Sequence, residues 1–510
     1  MQSSRRIFGL DTEYGLWVEG RGPEALLEES RQVVRAYPGH YAGPWDYDSE
    51  DPRRDMRGFR VEHLNYDPRD AQYDKPGRAR LSNEEERSDR ALPNGARFYN
   101  DHGHPEYATP ECCRLRDLVA HDKAGERLVW EAAQARSAAS GARVEIFKNN
   151  TDFHGASYGA HEGYLCARDL PFERLFHGLL PLLITRQIYA GAGKVGRETD
   201  GPLDEECVYQ LSQRADFFNV EASVDTLYQR PIFNTRDEAH ADPRRYRRLH
   251  VICGDANMSE FATALKMGVV LLTLELLESG WEPLIRLRRP VEAIKRLSRD
   301  PSRQWLVELE DGGAMRATDI QRVYLQEATR QLLGRDDDTD WTLAEWERVL
   351  DDLDSDPTRL EDRVDWAAKR RLLETYMEAA DEADDRDVGW AEATLQSLDL
   401  AYHNLDPEAG LYRALEEAGA VVQLTEEADI RQAMDNPPPN TRASVRGALV
   451  RRFGEQIERI SWGRVRLQTA AGSRWISLHG CQDGQIAELT GHVEQAATVE
   501  TLLQHLQGAS

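Results

Sequence analysis

The sequence has 510 residues and a formal net charge of −26, with 40% hydrophobic and 30% charged residues. This length exceeds what a single hydrophobic core normally organises, so we expect a large folded domain with a smaller companion. Because so negative a protein repels a phosphate backbone, the composition argues against a general nucleic-acid binder.

The cysteine pattern and the apolar segments bear on the cellular compartment. The six cysteines, at positions 112, 113, 166, 207, 253 and 481, form no CxxC pair and no zinc spacing, which is typical of reduced thiols in a cytoplasmic protein. The first apolar residues are interrupted by Asp11 and Glu13, so we expect no signal peptide. The longest apolar run, 267–274, is too short to cross a membrane. We therefore predict a cytoplasmic monomer with no membrane partner.

The first predicted element is a strand over residues 6–15, in which apolar and acidic residues alternate until Gly15. This alternation places Asp11 and Glu13 on one face. Residues 38–93, hereafter the insertion, are rich in Asp, Arg, Pro and Gly and show no sustained period, which predicts a long loop. Loops of this length are usually functional or disordered, and the aromatic residues of the insertion favour a functional one.

The rest of the chain mixes helices and strands. The predicted elements are a helix at 116–140, strands at 142–148 and 156–167, a helix at 173–189, strands at 207–211 and 246–253, a buried helix at 259–279, a mostly helical acidic stretch at 318–400, a helix ending at 453, strands at 464–469 and 475–478, and a helix at 498–506. Ser259 and Gly280 are the expected caps of the buried helix, and Thr342 with Glu345 predicts a capping box. The fold class is therefore α+β, with a small C-terminal domain from about residue 410.

Residues 98–107, FYNDHGHPEY, concentrate carboxylates, histidines and tyrosines. Alternation places Tyr99 and Asp101 on one strand face, with Glu106 just after a glycine-containing bend. If this strand lies beside the first one, these side chains converge with Asp11 and Glu13, and so many like charges require a cation. An oxygen-rich set suits Mg²⁺ or Mn²⁺ better than zinc, which indicates a metal held for a nucleotide phosphate. Taken alone, however, a DHGH tetrapeptide after a strand is more often a solvated turn than a metal site.

Two further polar segments, 148–162 and 234–242, interrupt stretches that otherwise resemble core strands and short turns. Arg236 in the second segment fits either a structural ion pair or a cation that neutralises a transferring phosphate. The residue pattern leaves both interpretations open.

The order of the motifs resembles the Pup ligase and Pup deamidase/depupylase family, which is related to glutamine synthetase and the carboxylate-amine ligases. The motifs are GLDTEYG, NGARFYNDHGHPEYATPEC, FKNNTDFHGASYGAHEGYL, LLITRQIYAGAGKVG, YQLSQRADF, PIFNTRDEAHAD, YRRLHVICGDANMSE, SLDLAYHNL, NPPPNTRASVRG and SWGRV. The resemblance covers nearly the whole chain, except parts of the insertion and of the acidic helices after 335. It implies a glutamine-synthetase-like catalytic domain at 1–410, with a curved antiparallel sheet packed against helices, and a small C-terminal α/β domain at 411–510 that contributes to a nucleotide site.

The resemblance also implies individual roles. The residues matching Mg²⁺ ligands are Asp11, Glu13, Tyr99, Glu106, His161 and His250, and those matching ATP contacts are Arg97, Thr109, Arg236 and Trp462. Asp101 matches the catalytic aspartate, whereas His104 is expected to be structural. The family usually has Glu where this chain has Asp11, so here the metal must lie closer to the strand or be reached through water.

Two activities share this scaffold. The ligase joins Pup, a small acidic protein tag, to a substrate lysine with ATP, and the deamidase/depupylase converts a C-terminal Gln of Pup to Glu and cleaves the tag from lysines. Depupylases of the family carry a long loop with a Trp-Asp-Tyr motif, which Trp45, Asp46 and Tyr47 resemble, and His102 directly after Asp101 resembles them too. We therefore predict a depupylase acting on Pup and pupylated proteins, with the ligase as the alternative.

Two further classes of protein fit the sequence less well. A non-catalytic binding module would not need the predicted site residues, and a glutamate–cysteine-ligase-like enzyme would not need the insertion. By resemblance, ATP is retained as ADP and phosphate and acts as a cofactor. Asp101 then attacks the carbonyl or orients the phosphate or water that does, and the sequence leaves both open. The basic stretches 244–248 and 286–289 fit either a groove for the acidic tag or ordinary solvated faces.

Overall fold

The computed structural model describes residues 6–48, 50–65, 81–198, 209–238, 240–384, 389–390, 392–479 and 483–508. Its strands are β1 (Phe8–Glu13), β2 (Gly15–Val18), β3 (Arg90–Ala91), β4 (Arg97–Asp101), β5 (His104–Ala108), β6 (Val144–Phe147), β7 (Ala160–Ala167), β8 (Lys194–Val195), β9 (Tyr209–Gln210), β10 (Val220–Ser223), β11 (Pro231–Asn234), β12 (Tyr246–Gly254), β13 (Leu306–Glu308), β14 (Ala314–Arg316), β15 (Ile457–Ile460), β16 (Arg464–Leu467) and β17 (Arg474–Ser477). Cys207 and Cys481, and the start of the strand predicted at 207–211, lie outside the described residues.

Helices account for much of the remaining chain. They are α1 (Leu26–Arg35), α2 (Asn83–Arg87), α3 (Leu115–Ser140), α4 (Phe172–Thr185), α5 (Gln187–Ala190), α6 (Glu260–Glu278), α7 (Pro290–Ser298), α8 (Ala317–Leu332), α9 (Asp337–Ser355), α10 (Asp365–Asp384), α11 (Ala393–Tyr402), α12 (Leu411–Glu417), α13 (Glu427–Asp435), α14 (Arg442–Phe453), α15 (Asp483–Gln495) and α16 (Val499–Gly508). This mixture confirms the predicted α+β class, including the helical stretch after 318. Among the described residues, no helix combines the length and hydrophobicity that crossing a membrane requires. The cytoplasmic location and the monomeric state stay predictions.

The main sheet has six antiparallel strands in the order β12-β7-β1-β5-β4-β3, so the first strand of the chain lies inside it. Alternation along β1 directs Phe8 and Leu10 into the largest hydrophobic core, together with side chains of α4, α6, α8 and α9. The opposite face carries Asp11 and Glu13. One face of the sheet is therefore covered by helices, and the other is left for polar side chains.

The predicted helix caps are partly right. The Ser259 hydroxyl accepts a hydrogen bond from the Ala262 N–H at 3.1 Å, which confirms it as the N-cap of α6, but the C-cap is Ser279 rather than Gly280. The capping box at Thr342 is wrong, because α9 begins earlier, with Asp336 as its N-cap. Three consecutive aspartates at that end are favoured by the helix dipole.

A second hydrophobic core lies in the C-terminal part of the chain. It is formed by α14, β15, β16, β17, α15 and α16, and it includes Ala42, Trp45 and Ala91 from the insertion. Helix α13, by contrast, packs its Ile430 and Ala433 against α3. The domain boundary near residue 410 stays a prediction.

Candidate functional site

The segment FYNDHGHPEY forms the hairpin of β4 and β5. Its two turn residues, His102 and Gly103, have φ values of 45° and 91°, and positive φ at both positions characterises the turn type that matches hairpin twist. The register pairs Tyr99 with Glu106, and Glu106 in turn with Glu13 of β1. Three acidic or phenolic side chains therefore line up across three adjacent strands.

The carboxylate oxygens of Glu13, Asp101 and Glu106, hereafter the carboxylate cluster, all lie within 4.8 Å of one another. Burial, and then the charge of Asp101, raises the pKa of Glu13 to about 7. Burial and the two neighbouring carboxylates also raise the pKa of Glu106 well above its ordinary value. Bringing Glu13 and Glu106 to their ionised forms at this position therefore calls for added positive charge.

Asp101 differs from its two partners. Burial acts to raise its pKa, but the guanidinium of Arg87 outweighs this effect, with help from nearby histidines, and holds the pKa at about 2. Arg87, the last residue of α2, forms an ion pair with the Asp101 carboxylate. Asp101 is consequently ionised at neutral pH.

Several buried polar atoms at this face have no hydrogen-bond partner among the described residues. They are Glu106 Oε2 and both ring nitrogens of His250. The rings of His161 and His250 meet edge to face with centroids 5.1 Å apart, and burial lowers the pKa of His161 to about 3 and that of His250 well below its ordinary value. Neutral imidazoles and carboxylates are the forms that ligate divalent cations, so these residues fit a metal such as Mg²⁺ or Mn²⁺.

Asp11 faces the same side of the sheet but has another partner. Its register neighbour is His161, and its carboxylate pairs with the Arg248 guanidinium at 2.8 Å. Burial raises the pKa of Asp11, although Arg248 opposes the rise. The shorter side chain is thus held by an arginine in this structure.

Arg97 organises the region between the hairpin and the C-terminal core. It pairs with Asp89 at 2.7 Å, and its guanidinium lies 3.9 Å from the Tyr99 ring centroid and 4.3 Å from that of Trp45. Trp45 meets Trp462 edge to face at 5.1 Å. The structure therefore brings Arg97, Trp45 and Trp462 together beside the carboxylate cluster, and the Tyr47 hydroxyl accepts a hydrogen bond from Arg97 at 3.1 Å.

Three other predicted residues are engaged elsewhere. The Asp46 carboxylate pairs with Arg464 of the C-terminal core at 2.5 Å, and the Thr109 hydroxyl accepts a hydrogen bond from the Leu10 N–H at 3.0 Å. Arg236 donates to the Val224 carbonyl at 2.8 Å and has no ion pair with a described carboxylate. Arg236 therefore keeps a charge that is available to an anion, whereas Asp46 and Thr109 make structural contacts.

Helix α14 is anchored to the catalytic sheet through Glu111. The guanidinium groups of Arg442 and Arg446 bind the Glu111 carboxylate at 2.6 Å and 2.5 Å, and Arg446 also donates to the Gly95 carbonyl at 2.6 Å. Gly95 has a φ of 79°, and a Cβ there would lie 2.8 Å from the Ala443 carbonyl oxygen. Only glycine allows so close an approach.

Comparison with known proteins identifies the family. The Pup-ligase protein family matches residues 6–466. The chain belongs to this family.

Similar proteins match along most of their length. The chain is 42% identical to a depupylase of Acidothermus cellulolyticus, covering 90% of each chain. It is 40% identical to a Pup deamidase/depupylase of Mycolicibacterium smegmatis, covering 90% of this chain and 91% of the relative.

Two solved structures have the same fold. The Pup ligase PafA in complex with Pup matches with a TM-score of 0.76 and 30% identity, covering 99% of this chain and 95% of that one. The ADP complex of the Pup ligase PafA matches with a TM-score of 0.71 and 32% identity, covering 86% and 96%. The predicted relation to this ligase fold is confirmed.

Three arginines around the cluster of this family member were not predicted. Arg214 is buried, donates to Ser157 Oγ at 3.3 Å and has no ion pair with a described carboxylate, and burial lowers its pKa to about 10. Arg248 could have been found, because it lies two residues before His250 in a predicted strand and therefore on the same face. No sequence pattern places Arg87 on the site face, because it follows a run of glutamates that is typical of a solvated segment.

Proposed function

We propose that this chain is a Pup deamidase and depupylase. It hydrolyses the C-terminal glutamine side-chain amide of Pup to glutamate and the isopeptide bond that joins Pup to a lysine. The observation that carries the proposal is the ionised Asp101 within the carboxylate cluster, on the fold of this family. The relatives that match along nine-tenths of the chain are named for these hydrolases.

The site residues divide into two groups by chemistry. Those that would hold Mg²⁺ are Asp11, Glu13, Tyr99, Glu106, His161 and His250, and those that would hold the nucleotide are Arg97, Arg236, Trp462 and, through its backbone strand, Thr109. When bound, Mg²⁺ with ATP supplies positive charge and phosphate oxygens beside the carboxylate cluster. The ADP complex of a solved relative supports the use of a nucleotide.

Asp101 acts on the carbonyl carbon of the scissile amide. An ionised carboxylate beside the scissile carbonyl can act as the nucleophile, which is the role that we propose for Asp101. Its oxygen bonds to the carbonyl carbon, the C–N bond breaks, and the nitrogen leaves as ammonia or as the lysine amine after taking a proton from water. A water molecule then hydrolyses the anhydride, which restores Asp101 and leaves a C-terminal glutamate.

The test uses the full chain with Mg²⁺ and ATP, and two substrates: Pup ending in Gln, and Pup conjugated to a lysine. We expect mass spectrometry to show conversion of the amide to the acid and release of the conjugated protein. Asp101→Asn should abolish both reactions without weakening ATP binding, whereas the exposed Asp48→Asn should behave like the wild type. Unimpaired turnover by Asp101→Asn would contradict the proposal.

The second candidate is the Pup ligase, which the two solved structures favour. That activity predicts ADP formed in proportion to new conjugate when Pup ending in Glu and a protein lysine are supplied. Amide hydrolysis without such stoichiometric ADP release would exclude it.

A further inference from the structure

Helix α2 lies at the end of the insertion and is fixed on both sides. Glu86 pairs with Arg31 of α1 at 2.9 Å, and the Glu86 carbonyl accepts a hydrogen bond from the Asn100 side chain of β4 at 2.9 Å. Arg35 of α1 donates to the Glu85 carbonyl at 3.0 Å. The base of the insertion is therefore attached to the strand that carries Asp101.

This attachment directs Arg87 into the carboxylate cluster. Its guanidinium pairs with Asp101 Oδ1 and lies 5.7 Å from the centroid of the Tyr99 ring. His102 Nε2 approaches the same Oδ1 at 3.6 Å. Both groups thus approach the same oxygen of the carboxylate, Oδ1.

The other arginines near the cluster have different partners. Arg97 pairs with Asp89, and Arg248 pairs with Asp11. Of the described arginines, Arg87 is the one that pairs with Asp101. Arg87 is presented by a five-residue helix that has its own backbone contacts to α1 and β4.

We propose that Arg87 is a positioning residue for Asp101, supplied by the insertion, which holds Oδ1 so that Oδ2 faces the scissile carbonyl. This inference rests on the proposed function. It makes the base of the insertion a structural part of the reacting site. A carboxylate free to rotate would lose the attack geometry, and small misplacements of reacting groups cost about 100-fold in rate.

The experiment measures kcat and KM for deamidation of Pup ending in Gln by Arg87→Met and Arg87→Lys. We expect Arg87→Met to lower kcat about 100-fold with little change in KM, and Arg87→Lys to recover part of the loss because it restores a charge without the planar fork. Guanidinium chloride at a non-denaturing concentration should raise the activity of Arg87→Met and leave the wild type unchanged.

Arg90→Met is the matched control from the same segment. Arg90 donates to the Ser88 and Asp89 carbonyls at 3.0 Å and lies over the Tyr41 ring, away from Asp101, so it should keep the wild-type kcat. A wild-type kcat in Arg87→Met would overturn this inference but would leave the proposed function standing. Loss of activity in Arg87→Met that guanidinium does not relieve and that accompanies a lower Tm would mark a purely structural role and also overturn it. An inactive wild-type chain would overturn the proposed function and this inference together.

Discussion

His250 is a buried imidazole in which neither nitrogen has a hydrogen-bond partner among the described residues. Burying two polar atoms without partners is unfavourable, and a ligand bound to the ring would offset that cost. The neighbouring His161 ring and the carboxylate cluster make a divalent cation the natural occupant. The role of His250 as a metal ligand can therefore be tested by measuring metal affinity, independently of enzymatic turnover.

We expect His250→Gln to weaken Mn²⁺ binding by at least about tenfold, because it removes a nitrogen ligand from the site. Titration of the full chain followed by electron paramagnetic resonance measures the free metal directly. His121→Gln is the control, since His121 is also buried with an unpartnered nitrogen but lies in helix α3. Equal Mn²⁺ affinity in both variants would show that His250 is not a ligand.

The sequence could predict those site residues that share a strand face. Alternation placed Tyr99 and Asp101 together, and the same rule placed Asp11 with Glu13. The sequence could not predict that Arg248 forms an ion pair with Asp11 or that Arg87 forms one with Asp101. Those contacts depend on which strands and helices become neighbours in the fold. Contacts of this kind join residues separated by 237 positions in one case.

At the scale of elements, helix α14 attaches to the catalytic sheet through one carboxylate. Burial acts to raise the pKa of Glu111, but Arg446 and Arg442 hold it at about 2, below the ordinary value of 4.5. Because the folded pKa is the lower one, the unfolded chain binds more protons in this range. The stabilisation is therefore complete above about pH 4.5 and is lost as the pH falls towards 2.

Glu111→Gln should lower the free energy of unfolding by about 3–5 kcal/mol at neutral pH, since it leaves the buried guanidinium of Arg446 and the partly buried one of Arg442 without their anion. Urea unfolding of wild type and variant should show this gap shrinking as the pH falls from about 4.5 towards 2, where the wild type loses the same interaction. Glu458→Gln removes the exposed ion pair with Arg466 and should cost less than about 1 kcal/mol. A gap that is independent of pH would contradict the assignment.

The helix ends show where local sequence patterns no longer suffice to predict the boundaries of an element. The Ser259 cap was predicted correctly because a short polar residue preceded a long apolar helix. The prediction for Thr342 was wrong because its hydroxyl donates to the Asp338 carbonyl inside α9, at 2.7 Å. Serine and threonine side chains satisfy either arrangement, and only the tertiary packing of α9 decides between them.

For the whole molecule, the insertion connects parts that are far apart in sequence. Trp45 joins the C-terminal core and pairs with Ile460, while Asp55 accepts a hydrogen bond from the Thr235 hydroxyl at 2.5 Å. The same segment then returns through α2 to the hairpin. Trp462, the Arg236 segment and Asp101 are thus all contacted by one stretch of chain.

Trp45→Ala should cost about 3–5 kcal/mol of stability, because the side chain is only 1% exposed and leaves a large cavity. Since Trp45 packs against Trp462, the variant should also bind ATP more weakly. Trp475→Ala is the control from the neighbouring strand β17: this side chain is 42% exposed, so the stability of the variant should change by less than about 1 kcal/mol. Thermal unfolding and a fluorescent-nucleotide titration measure both effects, and equal behaviour of the two variants would contradict this role.

The position of β1 inside the main sheet has a consequence during synthesis. The strand leaves the ribosome before its neighbours β5 and β7, which end only at Ala108 and Ala167, so we expect both of its edges to stay unpaired while the intervening residues are made. Unpaired strand edges invite aggregation, and charged side chains are a common protection. Asp11 and Glu13 place two charged side chains on β1, and we expect their replacement by apolar residues to increase aggregation during synthesis.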